Sequence, residues 1–107
     1  MTGRIHYSPE AERQLDRLDD WIAAASSPET AQRFISAILD HIEEMRTFPL
    51  VGRSRDDIRP GLRTSTFKKR TLIVYVVDGS IEDPTISVIG VFHGGQDWEH
   101  ALADPQD

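Results

Sequence analysis

A chain of 107 residues with net charge −6 and no cysteine is the size of one domain and excludes disulfides and thiolate metal sites. Its longest unbroken apolar run, Leu72 to Val77, is far short of the ~20 residues needed to cross a bilayer. The first seven residues hold no apolar run, so no secretory signal is expected, and the expectation is a soluble, cytoplasmic protein without membrane contact.

Arg4 to Tyr7 reads as a short edge or first strand. Ser8-Pro9-Glu10 then announces a helix. Serine caps the exposed N–H groups, proline suits the first helical position, and glutamate favours the positive helix end. Ala11, Leu15, Leu18, Ile22 and Ala25 form its apolar stripe, flanked by Trp21. Ser27-Pro28-Glu29 repeats the start signal. Ala31, Phe34, Ile35, Ile38, Ile42 and Met45 form the second stripe, and Thr47-Phe48-Pro49 ends it. So short a connection predicts antiparallel neighbours.

Pro49 to Pro60 reads as a loop punctuated by Gly52, Pro60 and Gly61. Leu62 to Phe67 reads as a strand. Arg70 to Val77 reads as a central strand covered on both faces, because its apolar residues do not alternate. Asp78-Gly79 starts a turn. Thr85 to Phe92 is the last strand, with Ile86, Val88 and Phe92 expected on one face and Ile89 and Val91 on the other. Residues 96–107 form a short acidic tail, with one helical turn expected around Trp98 to Leu102. Helices grouped before strands predict an α+β fold: an N-terminal strand, an antiparallel helical hairpin, then three antiparallel strands in one sheet.

The charge is uneven. Residues 1–48 carry 5 basic and 9 acidic side chains, residues 49–77 carry 7 and 2, and residues 78–107 carry none and 7. The middle band is Arg53, Arg55, Arg59, Arg63, Lys68, Lys69 and Arg70, and it suits either an acidic partner or neutralisation of the two ends.

Five separated pieces then carry a resemblance. They are Tyr7-Ser8-Pro9-Glu10-Ala11; Phe48-Pro49 with Gly52-Arg53; Asp57-Ile58-Arg59-Pro60-Gly61-Leu62-Arg63; Leu72-Ile73-Val74-Tyr75; and Val91-Phe92-His93-Gly94-Gly95 followed by Gln96-Asp97. In this order and spacing the chain resembles the ParE branch of the RelE/ParE toxin superfamily, the toxin half of type II toxin–antitoxin pairs. The resemblance implies a toxin that inhibits DNA gyrase by protein binding. It also implies a hetero-oligomer with a ParD-like ribbon–helix–helix antitoxin, through which alone the toxin reaches DNA. Two alternatives stay open: a RelE-like ribosome-dependent mRNA endonuclease, and a homologue that binds antitoxin without toxicity. Relatives often carry arginine where this chain has Gly90 and Gln96, and no basic residue follows Arg70.

His93 is the acid–base candidate of the endonuclease alternative, because histidine titrates near neutral pH. The other reading of His93 is structural, a strand-ending residue before Gly94-Gly95. His6, His41 and His100 lack metal-ligand spacing, and no metal or cofactor is expected. Asp56-Asp57, flanked by Arg55 and Arg59, reads as surface ion pairing. The candidate partner-binding residues are Trp21, the seven basic residues of the middle band, His93 and Asp97.

Overall fold

The computed structural model describes residues 3–94. Asp97, Trp98 and the expected helical turn at 98–102 lie outside the described residues. The elements in order are β1 (Arg4–Tyr7), α1 (Pro9–Ala25), α2 (Pro28–Glu43), a 3-10 turn (Glu44–Arg46), β2 (Arg53–Ser54), β3 (Leu62–Phe67), β4 (Thr71–Gly79) and β5 (Pro84–His93). The sheet order is β1-β5-β4-β3-β2. The hairpin strands pair antiparallel, but β1 pairs parallel with β5, Arg4 to Tyr7 lying opposite Thr85 to Val88. No tight turn joins β1 to β5, so nothing in the connection forces them antiparallel.

Both helices start where the capping signals lie. The Ser8 hydroxyl accepts from the Ala11 N–H at 3.0 Å and the Ser27 hydroxyl from the Thr30 N–H at 3.1 Å. The hairpin lays its stripes on one sheet face. Ala11, Leu18, Ile38, Ile42 and Met45 pack there with Ile73, Tyr75, Ile86, Val88 and Val91. The other face carries a smaller cluster of Leu62, Val74 and Phe92, covered in part by Ile58. β4 is thus apolar on both sides, as its sequence predicts.

Three expectations need correction. The segment Pro49 to Pro60 is not all loop: Arg53 and Ser54 add a fifth, two-residue strand opposite Thr64 and Arg63. Two polar residues give no periodic signal for so short a strand. β4 runs through Asp78 to Gly79, which read as the start of a turn. The faces of β5 are also mixed. Val91 joins Ile86 and Val88 in the helix-facing core, while Phe92 joins Ile89 on the other side. The cause is a β-bulge. Val74 lies opposite Gly90 and Tyr75 opposite Val88, leaving Ile89 as the extra residue. One inserted residue reverses the alternation beyond it.

The bulge leaves backbone groups that α1 satisfies. The Ser8 N–H donates to the Val88 carbonyl at 2.9 Å, and the Ser8 hydroxyl donates to the Ile89 carbonyl at 3.3 Å. The Gln14 carbonyl oxygen accepts from the Val91 N–H at 2.6 Å. Ser8 therefore caps the helix and ties it to the sheet at once. Ser8→Ala is expected to cost about 0.5–2 kcal/mol, the range for a lost cap. A urea-unfolding midpoint unchanged by the substitution would count against this double attachment.

Candidate functional site

The seven basic residues do not form one patch. Arg53 to Arg63 lie by the Leu62 end of β3 and Lys68 to Arg70 by its Phe67 end, roughly 17 Å apart along a six-residue strand. At the first end Arg55 and Arg63 are engaged within the fold. Arg55 grips Asp57 through two nitrogens, at 2.9 and 2.8 Å. That pairing holds the Asp57 carboxyl below its usual range. Asp56 accepts from the Gly61 N–H at 2.8 Å and the Ser54 hydroxyl at 3.1 Å. The adjacent aspartates thus brace a loop.

Arg63 reaches across to the preceding loop, donating to the Gly52 carbonyl at 2.7 Å and the Leu50 carbonyl at 3.1 Å. The Gly52 N–H in turn donates to the hydroxyl of the buried Tyr75 at 2.9 Å. A β-carbon at position 52 would sit 2.4 Å from the Thr64 carbonyl oxygen and 2.5 Å from the Tyr75 hydroxyl. Only glycine allows that approach. Arg53 and Arg59 have exposed side chains. This junction also holds Phe48, Leu50 and Val51 at the surface, close to Ile81; all four are more than half exposed. Sequence reasoning missed this apolar patch, and its one signal was an apolar run, Phe48 to Val51, in a segment without periodicity.

At the other end, Lys68 and Lys69 occupy the centre of the β3–β4 turn with φ of 53° and 64°. The Arg70 N–H closes that turn on the Phe67 carbonyl at 3.3 Å. Side chains rarely adopt this left-handed backbone, and hairpin turns of this kind favour Asn-Gly. Two exposed lysines here cost stability and present positive charge at a sheet corner. Replacing Lys68-Lys69 by Asn-Gly is expected to raise stability by about 1 kcal/mol or more. If the lysines meet an acidic partner, the same variant binds that partner more weakly. An unchanged urea midpoint would refute the strain argument.

His93 stands between these lysines and α1. Its Nδ1 shares a 2.8 Å hydrogen bond with the Thr71 hydroxyl. Its ring packs against Trp21 at 5.8 Å and edge-on to Phe34 at 5.9 Å. Phe34 continues to Phe67 at 5.6 Å and Phe67 to His41 at 5.4 Å, so five rings run in a chain under the sheet corner. His41 bonds the Ser65 hydroxyl at 2.8 Å. Burial pushes the His93 imidazole below its usual 6.5, and neighbouring Arg70 pushes it the same way. A depressed histidine is neutral in the folded state while the unfolded chain still takes a proton. Its stabilising contribution is therefore present above about pH 6.5 and is lost as pH falls toward the depressed value. Thermal unfolding between pH 8 and pH 5 should show a steeper acid-side loss in the parent than in His93→Gln (about those limits bracket the histidine range). Identical profiles would refute it.

Beside His93 a cleft of about 460 Å³ opens between the end of β5 and one face of α1. Gln14, Arg17, Leu18 and Trp21 line it from the helix, and Val91, His93, Gly94 and Arg70 from the sheet end. Helical spacing of three and four residues puts the first four on one face. Trp21 is 58% exposed although one side of its ring meets His93. Gln14 and Arg17 are absent from the sequence-based candidates; their signal was their place one turn from Leu18 and Trp21. Position 90 is also closed: a β-carbon there would lie 2.5 Å from the Phe92 ring. Any side chain at position 90 needs that ring to move.

Four of the five sequence pieces meet at two junctions. Gly52, Arg63 and Tyr75 meet at one end of β3, and Ser8 meets the bulge of β5 at the far side of the sheet. The whole span from residue 5 to residue 98 matches the family described as the ParE toxin of type II toxin–antitoxin systems, parDE. This chain belongs to the ParE toxin family. Toxin ParE1 of Mycobacterium tuberculosis, in strains CDC 1551 / Oshkosh and ATCC 25618 / H37Rv, is 29% identical over 102 residues, covering 95% of this chain and all of that protein. The fold resembles a chain of the chromosomal ParDE toxin–antitoxin system of P. aeruginosa, with TM-score 0.71 and 19% identity over 88% of this chain and 98% of that one. It also resembles a chain of the toxin–antitoxin complex RelBE2 of M. tuberculosis, with TM-score 0.61 and 18% identity over 87% and 99%. The ParE and RelE branches thus share this α+β scaffold, and the scaffold alone does not choose between their activities.

Proposed function

We propose that this ParE-family chain inhibits DNA gyrase by binding it, and is neutralised in the cytoplasm by a ParD-like ribbon–helix–helix antitoxin in a hetero-oligomer. The observation that carries the reading is the family match across residues 5–98. Membrane action finds no support among the described residues, where no helix is long and apolar enough to cross a bilayer. DNA contact is assigned to the antitoxin, because the seven basic residues of the middle band are divided between two ends of β3 and form no single patch.

Binding is favoured over catalysis by the surroundings of His93. General acid–base cleavage of RNA needs two titratable groups about one reacting phosphate. Among the described residues, the cleft beside His93 offers arginines, a glutamine and a tryptophan, with no carboxylate, tyrosine or second histidine. Among those residues no three His, Asp or Glu side chains form a metal-holding group.

The test is a gyrase supercoiling assay with purified protein. Inhibition that added antitoxin relieves is the expected result. Ribosome-dependent mRNA cleavage that disappears in His93→Ala would replace this reading with the endonuclease alternative. Normal growth despite confirmed soluble expression would replace it with the non-toxic, antitoxin-binding one.

A further inference from the structure

The cleft between α1 and the end of β5 brings apolar, aromatic and cationic side chains together. Leu18 and Val91 give it a buried apolar floor. Trp21 forms a wall whose ring is braced by His93 on one side and is 58% exposed overall. Arg17 and Arg70 supply two positive charges from opposite walls. No carboxylate lines the cleft among the described residues. Arg17 meets Glu10 only at 3.5 Å, while the other oxygen of Glu10 is taken by Arg13 at 2.8 Å. The chain as a whole has a net charge of −6, whereas the charged side chains that line this cleft among the described residues are cationic.

We propose that this cleft binds a nucleoside phosphate, with the base laid on the open face of Trp21 and the phosphate held between Arg17 and Arg70. About 460 Å³ lies within the range of small-molecule sites and suits one nucleotide. A tryptophan face stacks any base, and guanidinium groups pair phosphate oxygens with two parallel N–H donors. An aspartate or glutamate of a partner peptide would meet the arginines but leave the tryptophan face and apolar floor uncovered. A nucleotide covers all three. The same chemistry is offered by a free mononucleotide and by the terminal nucleotide of a strand. The inference is independent of the gyrase reading, since neither outcome of the supercoiling assay bears on it.

The chain has two tryptophans, so Trp98→Phe leaves Trp21 as the single reporter. Its fluorescence is followed at low salt during titration with 5′-AMP, adenosine and inorganic phosphate. The expected result is saturable quenching by 5′-AMP, with adenosine and phosphate each weaker by at least about tenfold. Arg17→Gln and Arg70→Gln each weaken 5′-AMP by at least about tenfold, and thermal unfolding confirms that both variants stay folded. A 5′-phosphorylated tetranucleotide binding more tightly than 5′-AMP identifies a strand end as the source, and equal or weaker binding identifies a free nucleotide. Absence of saturable quenching up to about 10 mM 5′-AMP overturns the proposal, a range that covers the weakest specific binding. So does quenching that folded Arg17→Gln and Arg70→Gln leave unchanged. So does quenching by a hexaglutamate peptide that 5′-AMP cannot displace, which assigns the cleft to an acidic peptide.

Discussion

Tyr75→Ala is expected to remove about 3–5 kcal/mol of stability, the cost of deleting a large buried aromatic ring. Small domains have margins of about 5–15 kcal/mol, so the variant loses a large share of that margin and its thermal midpoint should fall by at least about 10 °C. Two effects add. The ring is fully buried in the helix-facing core, where it packs with Ile38, Ile42, Met45 and the β5 side chains. Its hydroxyl also accepts the Gly52 N–H, which keeps the loop before β2 closed. Tyr75→Phe separates them, because it keeps the ring and strands only that N–H. Its expected cost is about 1–3 kcal/mol. Urea unfolding of the two variants checks the ordering. A phenylalanine variant as unstable as the alanine one would mean that the loop contact, and not the ring, dominates. A phenylalanine variant as stable as the parent would mean that the hydroxyl does not hold the loop.

Arg63→Glu should cost about 1.5–3 kcal/mol, the range for hydrogen bonds from a charged group, while Arg53→Glu should stay within about 0.5 kcal/mol of the parent. Read from sequence, the two arginines belong to one basic band and share one role. The structure separates them. Arg63 is partly buried and gives its N–H groups to the Leu50 and Gly52 carbonyls, so a carboxylate there would face two acceptors without a donor. Arg53 lies on the two-residue edge strand with its side chain exposed. A test of the basic band as an antitoxin contact must therefore use Arg53→Glu alone. That variant should bind an acidic antitoxin segment more weakly at low salt and keep its urea midpoint. Unchanged affinity would remove Arg53 from the interface. A stable Arg63→Glu would remove the clamp.

The parts of the fold that sequence reasoning found share a cause. Each is a local signal: serine before proline before glutamate at two helix starts, apolar stripes at helical spacing, and an unbroken apolar run in β4. The parts it missed depend on residues far apart. The one local sign of the β5 bulge is Gly90 within the strand, and it is easily passed over because Ile89-Gly90-Val91 continues a plain alternation. The bulge exists where Ser8 and Gln14 approach from the start of the chain to take the displaced backbone groups. Arg63 and Arg53 look alike for the same reason. Only the packing of β2 against β3 turns one toward the loop carbonyls and leaves the other outside.

By itself, the sequence determined the α+β class, the order of the helical hairpin and later strands, and the toxin family. Helix caps and hydrophobic periods are short-range, and the family pieces are readable in order. The tertiary structure alone decided the parallel seat of β1 on β5, the division of the basic band between two sheet corners, and the reach of Arg63 to the loop carbonyls. It also decided which side chains line a cleft beside His93. These depend on contacts between residues up to about eighty positions apart, as between Ser8 and Ile89, and no window along the chain contains both partners.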